Sequence, residues 1–246
     1  MKIIGITQAR FGSTRLPGKI LKKINGKSLL QIHLERAAQS KLINKIIVAT
    51  TTEKESVEIE NIAVAAGHTI YKGSVTDVLD RFYKAAKTDL PHYIVRITSD
   101  CPLIDADIID EVINCCISNS LDYCSNTLQP TYPDGMDVEV FSFNALEKAW
   151  KEATSPSDRE HVTPYIWRNS SFSGGTFFKS ENVKYNKDYS SFRLTVDEQK
   201  DFKVIEELIK SLGSNQPWKK YVDYLEANPN IKKINLHIKR NEGLIK

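Results

Sequence analysis

The chain has 246 residues, which is near the upper size limit of a domain with one hydrophobic core, and its formal net charge is only +3. So small a charge excludes a chain-wide nucleic-acid-binding surface, and 41% hydrophobic with 26% charged residues is ordinary for a globular protein. The apolar run after Met1 and Lys2 is shorter than a signal peptide or a membrane span requires. We expect a cytoplasmic protein with no nucleic-acid partner and no membrane partner.

The first hundred residues alternate short runs rich in Ile and Val with helical patterns, which is typical of a parallel sheet covered on both faces. A capping-box pattern at Ser28 begins the first predicted helix, and Gly67 ends the second. The predicted strands are residues 2–7, 45–50, 69–72 and 93–98, and the later predicted helices are residues 55–66 and 77–87.

The rest of the chain predicts a mixed-sheet edge and further helices. The predicted strands are residues 122–125, 137–141, 172–178 and 191–195. The predicted helices are residues 107–117, a segment from Ser142, and residues 155–169, 201–212 and 218–225. We expect one domain over residues 1–228 and a solvated C-terminal tail over residues 229–246, whose basic residues do not indicate nucleic-acid binding.

The loop that follows the first predicted strand is basic and contains two glycines. Its sequence over residues 8–19 is QARFGSTRLPGK, and residues 1–34 hold seven Lys or Arg and no Asp or Glu. Open parallel sheets bind ligands beyond the carboxyl ends of their strands, and glycines allow the backbone amides of residues 11–14 to approach phosphate oxygens. The glycine spacing is not that of a Walker A loop. The cations placed to neutralise a phosphate are Arg10, Arg15 and Lys19.

Two aspartates follow strand-like runs at distant points of the chain. Asp100 follows the predicted strand 93–98, and Asp197 follows the predicted strand 191–195. Mg²⁺ prefers oxygen ligands and usually lies between one or two carboxylates and substrate phosphates. Each aspartate taken alone favours a helix N-cap, but their joint position at strand ends reverses that preference and favours a shared Mg²⁺ site.

The loop over residues 8–19 resembles the signature loop of sugar-acid cytidylyltransferases. The branch that it resembles is named spore-coat polysaccharide biosynthesis protein F and is related to CMP-Kdo and acylneuraminate cytidylyltransferases. The resemblance implies a Rossmann-like three-layer α/β/α nucleotidyltransferase fold, similar to the GT-A fold, with a mostly parallel, mixed central sheet. Further similar segments lie, in the order of the family, at residues 47–51, 73–82, 95–103, 132–140, 158–163 and 193–197.

The same resemblance implies a Mg²⁺-dependent, homodimeric nucleotidyltransferase of the EC 2.7.7 type. It makes residues 1–105 the nucleotide-binding half and residues 106–228 the acceptor-binding half. The implied residues for CTP are Gln8, Ala9, Arg10, Gly12, Ser13, Thr14, Arg15, Lys19, Thr50, Thr51, Ser74, Asp77 and Ser99. Those for the acceptor are Asp134, Glu139, Arg159, His161 and Arg193, and those for the metal are Asp100 and Asp197. Alternatively, Asp77 caps the helix that it begins and pairs with Arg81, Arg159 is a solvated helix charge, and His161 is a partly buried histidine with its hydrogen bonds satisfied.

The expected reaction is attack by an acceptor oxygen on the α-phosphorus of CTP, which releases pyrophosphate and leaves a CMP-linked precursor for surface polysaccharide or glycan synthesis. The acceptor stays open between a sugar acid and a sugar or polyol phosphate, because residues 72–77 depart from the T-G-T-D-R pattern of the Kdo type. The expected catalytic residues are Arg10, Arg15, Lys19 and Asp100.

Two alternative functions stay open. One is a GT-A-type glycosyltransferase, although the D-x-D spelling at Asp105 and Asp107 is expected to open a helix. The other is a catalytically silent protein that binds a nucleotide in the same crevice.

Overall fold

A seven-stranded sheet lies at the centre of the computed structural model, which describes residues 1–240. The strands are β1 (Ile3–Gln8), β2 (Lys23–Ile24), β3 (Lys27–Ser28), β4 (Lys45–Thr51), β5 (Thr69–Gly73), β6 (Tyr93–Thr98), β7 (Tyr123–Ser125), β8 (Glu139–Ser142) and β9 (Ser180–Asn182). The sheet has the order β5-β4-β1-β6-β8-β7-β9, and β2 and β3 form a separate hairpin. Within this sheet only β8 is antiparallel to its neighbours, so the sheet is mixed but mostly parallel.

Helices cover both faces of the sheet. They are α1 (Leu29–Ala37), α2 (Ser56–Ala65), α3 (Val78–Lys87), α4 (Ala106–Ser118), α5 (Phe143–Glu152), α6 (Pro156–His161), α7 (Pro164–Arg168), α8 (Gln199–Leu212), α9 (Trp218–Ala227) and α10 (Pro229–Lys232). Successive strand residues point to opposite faces, so Ile3 and Ile4 belong to two different apolar cores. The first core contains residues of α1, α4 and α8, and the second contains residues of α3 and α5. The predicted three-layer α/β/α fold is confirmed.

The predicted strands of the first half are confirmed, with ends that shift by no more than one residue. Residues 155–169 form two helices rather than the single helix predicted, because Val162 has a φ of +74° and Pro164 cannot continue the hydrogen-bond ladder. The strand predicted over residues 172–178 is wrong, since Ser171–Ser173 is a 3₁₀ turn and β9 lies further along the chain. Residues 191–195, all of them described, contribute one isolated bridge between Asp134 and Arg193 instead of a strand.

Residues 229–240 pack on the domain, although the sequence predicts a solvated tail there. Asn235 and Ile238 are buried, and Lys232 lies 3.8 Å from the centre of the Phe192 ring. The rest of the predicted tail, residues 241–246, lies outside the described residues. Among residues 1–240, no helix has both the length and the apolar character needed to cross a membrane.

Candidate functional site

The carboxyl ends of β1 and β6 lie side by side at one edge of the sheet. The two strands are parallel neighbours, with Gln8 opposite Thr98. The basic loop therefore leaves β1 beside the turn that carries Asp100 after β6. The Ser99 amide donates to Gln8 O at 3.4 Å, which joins the two turns directly.

Lys19 connects the two aspartates that the sequence places at strand ends. Its Nζ lies 2.9 Å from Asp100 Oδ2 and 2.9 Å from Asp197 Oδ1. Burial lowers the pKa of Lys19, but the charges of Asp100 and Asp197 outweigh burial and raise that pKa. Burial likewise opposes ionisation of Asp100, yet Lys19 holds the pKa of that carboxyl well below its usual value. The structure thus brings Asp100 and Asp197 around one cation position.

Neither of these aspartates caps a helix. Asp105 caps α4, since its Oδ1 accepts from the Asp107 amide at 3.0 Å, and Glu198 occupies the N-cap position of α8. The N-cap interpretation of Asp100 and Asp197 is therefore wrong. The same contact places the D-x-D spelling at the start of a helix, as the sequence predicts.

Arg193 holds Asp197 from the side opposite Lys19. The buried guanidinium donates from Nη1 to Asp134 Oδ2 at 2.5 Å, from Nη2 to Asp197 Oδ2 at 2.8 Å and from Nε to Asp201 Oδ1 at 2.9 Å. Burial opposes the charge of Arg193, but these carboxylates outweigh burial and raise its pKa. Arg193, which the resemblance assigns to the acceptor, therefore donates to protein carboxylates and reaches the site through Asp197.

The basic loop presents backbone amides and an exposed cation. Gly18 has a φ of +63°, and its amide donates to Phe11 O at 3.2 Å, which closes the loop on itself. No group among residues 1–240 accepts a hydrogen bond from the amides of residues 12–14. Arg15 Nη2 lies 3.0 Å from Asp197 Oδ1, and Arg10 is exposed. This arrangement can surround an anion with amide and guanidinium donors.

The carboxyl ends of β4 and β5 form the neighbouring part of the same sheet edge. Thr50 is fully buried, and its Oγ1 has no hydrogen-bond partner among the described residues. Thr51 Oγ1, by contrast, lies 2.8 Å from Glu53 Oε2 and 2.8 Å from Ser56 Oγ. Because buried hydroxyls are usually paired, the unpaired Thr50 hydroxyl is an exception among the buried polar groups at this edge of the sheet.

The turn after β5 connects the two halves of the domain. Ser74 Oγ accepts from the Asp77 amide at 3.0 Å, and Asp77 Oδ1 accepts from the Asp80 amide at 2.9 Å, so Asp77 caps α3. Arg159 donates from Nε to both oxygens of Asp77 at 3.0 Å and from Nη2 to Oδ2 at 2.5 Å. Arg81 donates to Ser74 O at 2.5 Å. Asp77 and Arg159, assigned to different ligands by the resemblance, therefore form one ion pair.

Glu139 lies buried in a polar network. Its Oε1 accepts from Tyr123 OH and from Thr163 Oγ1 at 2.6 Å each, and its Oε2 pairs with Arg96. Arg96 Nη2 also donates to Gln8 Oε1 at 3.3 Å. This network links the end of β1 to the half of the chain predicted to bind the acceptor.

Asp137 and Arg240 form an ion pair that sequence reasoning missed. Burial raises the pKa of Asp137 to about 7, the nearby carboxylates of Asp134, Glu139 and Asp100 act in the same direction, and Arg240 opposes them. The acid-rich segment over residues 134–139 is visible in the sequence. Arg240 lies 103 positions after Asp137, and no local pattern connects the two.

His161, the last residue of α6, is half-buried. Burial lowers the pKa of this imidazole, the charges of Glu160 and Glu139 oppose burial, and the positive charges of Arg96 and Arg10 act with it. The surroundings of His161 therefore favour its neutral form.

A family model described as cytidylyltransferase matches residues 4–234. The chain belongs to the cytidylyltransferase family. This cytidylyltransferase is 43% identical to the uncharacterized protein MJ1063 of Methanocaldococcus jannaschii, over 98% of the chain and 97% of that protein. It is 32% identical to the spore coat polysaccharide biosynthesis protein SpsF of Bacillus subtilis, over 86% of the chain and 88% of that protein.

Two solved structures show the same fold as this cytidylyltransferase. A cytidylyltransferase from Leptospira borgpetersenii superposes with a TM-score of 0.88 at 34% identity, over 94% of this chain and 97% of that one. A CMP:2-keto-3-deoxy-manno-octonic acid synthetase complexed with CTP superposes with a TM-score of 0.64 at 18% identity, over 86% of this chain and 99% of that one.

A buried histidine, which sequence reasoning also missed, connects the two turns at the site of the cytidylyltransferase. His33 Nδ1 lies 3.0 Å from Cys101 O, and His33 Nε2 lies 2.9 Å from Thr7 Oγ1. A carbonyl oxygen can only accept, so Nδ1 carries the proton and Nε2 accepts from the Thr7 hydroxyl. His33 thereby ties the residue before Gln8 to the residue after Asp100. Its position on the apolar face of α1 resembles any core residue, so the sequence contains no signal for this role.

Proposed function

We propose that this cytidylyltransferase transfers CMP from CTP to a sugar acid or a related acceptor and releases pyrophosphate. An acceptor hydroxyl gives up its proton to solvent and its oxygen forms a bond to the α-phosphorus, while the bond from that phosphorus to the oxygen bridging the β-phosphate breaks. Pyrophosphate leaves with the bonding electron pair. The observation that supports this proposal most directly is the shared contact of Lys19 with Asp100 and Asp197 beside the basic loop.

The basic loop suits the triphosphate. Nucleotidyl transfer depends mainly on alignment and on charge neutralisation, so no nucleophilic side chain is required. The amides of residues 12–14 and the side chain of Arg10 bind phosphate oxygens. Arg15 and Lys19, which lie at the carboxylates, stabilise the negative charge that develops on the departing pyrophosphate.

Asp100 and Asp197 are the residues that would hold a Mg²⁺ ion. One oxygen of each already lies 2.9 Å from a single ammonium nitrogen, so the pair converges on one cation position. Residues 1–240 contain no cluster of three or more His, Cys, Asp or Glu side chains suited to a metal, which fits an ion completed by phosphate and water oxygens. When bound, such an ion neutralises charge at the α-phosphate.

The acceptor that we propose is a small sugar acid, with sugar or polyol phosphates as the neighbouring chemical class. The name of the Bacillus subtilis relative refers to polysaccharide biosynthesis, and the name of one structural neighbour refers to a 2-keto sugar acid. We further propose a cytoplasmic homodimer that supplies a precursor for surface polysaccharide or glycan synthesis.

Pyrophosphate release tests the proposal. The four common nucleoside triphosphates are screened with Mg²⁺ against 2-keto sugar acids, sugar phosphates and polyol phosphates. We expect release with CTP and a sugar acid, its loss in Asp100→Asn, and its retention in Asp223→Asn, an exposed carboxylate on α9. CTP binding without release across the whole panel, or sugar transfer from a nucleotide sugar, would contradict the proposal.

A further inference from the structure

Residues 233–240, the C-terminal strap, lie across the part of the domain predicted to bind the acceptor. Asn235 is buried, and its Nδ2 donates to Arg193 O at 3.2 Å and to Asp201 Oδ1 at 3.0 Å. Ile238 is also buried. The strap is therefore anchored on the same Arg193 that orients Asp197, and its position is defined relative to the reacting groups.

Arg240, the last residue of the strap, contacts the acidic segment over residues 134–139. Arg240 Nη2 pairs with Asp137 Oδ1, and Nη1 donates to Tyr132 O at 3.3 Å. The charge of Arg240 also acts on Asp134, where it opposes the effect of burial on the carboxyl pKa. The guanidinium therefore lies among the carboxylates of the acceptor half.

The other cations predicted to hold an acidic acceptor are engaged by protein carboxylates. Arg159 is bound to Asp77 through Nε and Nη2, and its Nη1 donates to Trp150 O at 2.9 Å. Arg193 is bound by three carboxylates. Asp134, Asp137 and Glu139 would repel an anion from this region, so an acidic acceptor needs a cation with remaining donors.

Arg240 meets that need. Its described contacts use two of its five N–H groups, whereas those of Arg159 use three and those of Arg193 use four. Next to it is a cavity of about 160 Å³ whose lining includes Arg240, Asp134, Arg193 and Ser190. This volume is smaller than the roughly 300 Å³ of a typical whole-ligand pocket, so it suits one end group of a ligand.

We propose that Arg240 binds the carboxylate of the acceptor beside this cavity, with Asp137 as its partner in the absence of acceptor. The inference rests on the proposed cytidylyltransferase reaction and adds a specificity residue that lies outside the family's signature loop. A planar guanidinium binds a carboxylate through two parallel hydrogen bonds, which an ammonium group cannot reproduce.

Kinetics of four variants test this role. For Arg240→Gln we expect the KM for 3-deoxy-manno-octulosonate, or for whichever 2-keto sugar acid supports release, to rise about tenfold or more, with the KM for CTP unchanged. Arg240→Lys should recover part of the loss. Lys233→Gln, an exposed cation on the same strap, should behave as the wild type.

Asp137→Asn separates binding from a purely structural contact. It breaks the same ion pair but keeps the guanidinium, so the KM for the acceptor should rise far less than in Arg240→Gln. If both variants raise the KM for acceptor and CTP alike and lower the melting temperature alike, Arg240 is a structural contact and the inference is overturned. The inference would also be overturned if Arg240→Gln raised the KM for a sugar phosphate and left the KM for the sugar acid unchanged. If the wild-type protein releases no pyrophosphate with any acceptor, the proposed function itself is wrong. That result differs from an active enzyme whose kinetics do not change when Arg240 is substituted.

Discussion

The two oxygens of Asp197 are held by different cations. Oδ2 lies 2.8 Å from Arg193 Nη2 inside the protein, and Oδ1 lies 2.9 Å from Lys19 Nζ at the site. Arg193 is buried and anchored on Asp134 and Asp201, so it fixes the carboxylate in one orientation. Oδ1 is thereby presented to the crevice without rotation of the side chain.

Arg193→Gln should therefore lower both the free energy of unfolding and the turnover. The change leaves Asp134 and Asp201 buried without their cation, and breaking a buried ion pair by removing one partner costs about 3–5 kcal/mol of unfolding free energy. Arg193→Lys keeps the charge but not the fork, so we expect an intermediate loss. Urea unfolding checks the prediction, and a change below about 1 kcal/mol in Arg193→Gln would contradict it.

The sequence predicts the central strands and the two site aspartates because both depend on local patterns. Ile and Val runs mark β1, β4 and β6, and an aspartate directly after a run of this kind lies at the ligand-binding edge of a parallel sheet. Asp100 follows β6 in this way, whereas Asp197 reaches the same edge although residues 191–195 form one isolated bridge and no strand.

The ion pairs of Arg193 with Asp201 and of Arg159 with Asp77 follow no local sequence pattern. Arg193 and Arg159 each carry the positive charge that an acidic ligand needs. Nothing in the sequence reveals that Asp201 neutralises Arg193 and that Asp77 neutralises Arg159. The burial of Ile238 is hidden for a similar reason, since the lysines around it give residues 229–240 the composition of a solvated end.

Asp100→Asn should reduce turnover by about two orders of magnitude or more, because the neutral amide no longer supports the charge arrangement at the α-phosphate. Its side chain caps no helix, but the ion pair with Lys19 is lost, so we expect a lower melting temperature in a protein that still folds. Turnover measured beside a melting curve checks both statements. A stability loss of about 1 kcal/mol with turnover intact is the pattern of a helix cap and would remove Asp100 from the mechanism.

Lys19→Ala should weaken the use of CTP more than the use of the acceptor, because the ammonium group lies beside the loop that holds the triphosphate. It also leaves Asp100 and Asp197 facing each other without their cation. We expect the melting temperature of Lys19→Ala to rise with added Mg²⁺ by more than that of the wild type, since a ligand that binds only the folded state stabilises it. Lys27→Ala, an exposed cation paired with Glu35, serves as the control. Equal Mg²⁺ responses in all three proteins would argue against a shared cation position.

His33 makes the protein sensitive to mild acid. Burial lowers its pKa from 6.5 to about 4, whereas the unfolded chain binds a proton as the pH falls through 6.5. Between these values the unfolded state holds more protons, so the contribution of His33 is complete above pH 6.5 and is lost as the pH falls towards 4. The loss reaches at most about 1.4 kcal/mol per pH unit.

Urea unfolding of the wild type and of His33→Gln at about pH 7 and about pH 5 checks this sign. The variant lacks the imidazole, so its stability should fall less between the two conditions, even though its stability at neutral pH is lower. His237→Gln, which changes an exposed histidine, should keep the wild-type pH dependence. Identical pH slopes in the wild type and His33→Gln would mean that His33 binds its proton equally in both states, which is incompatible with a neutral imidazole fixed between Thr7 and Cys101.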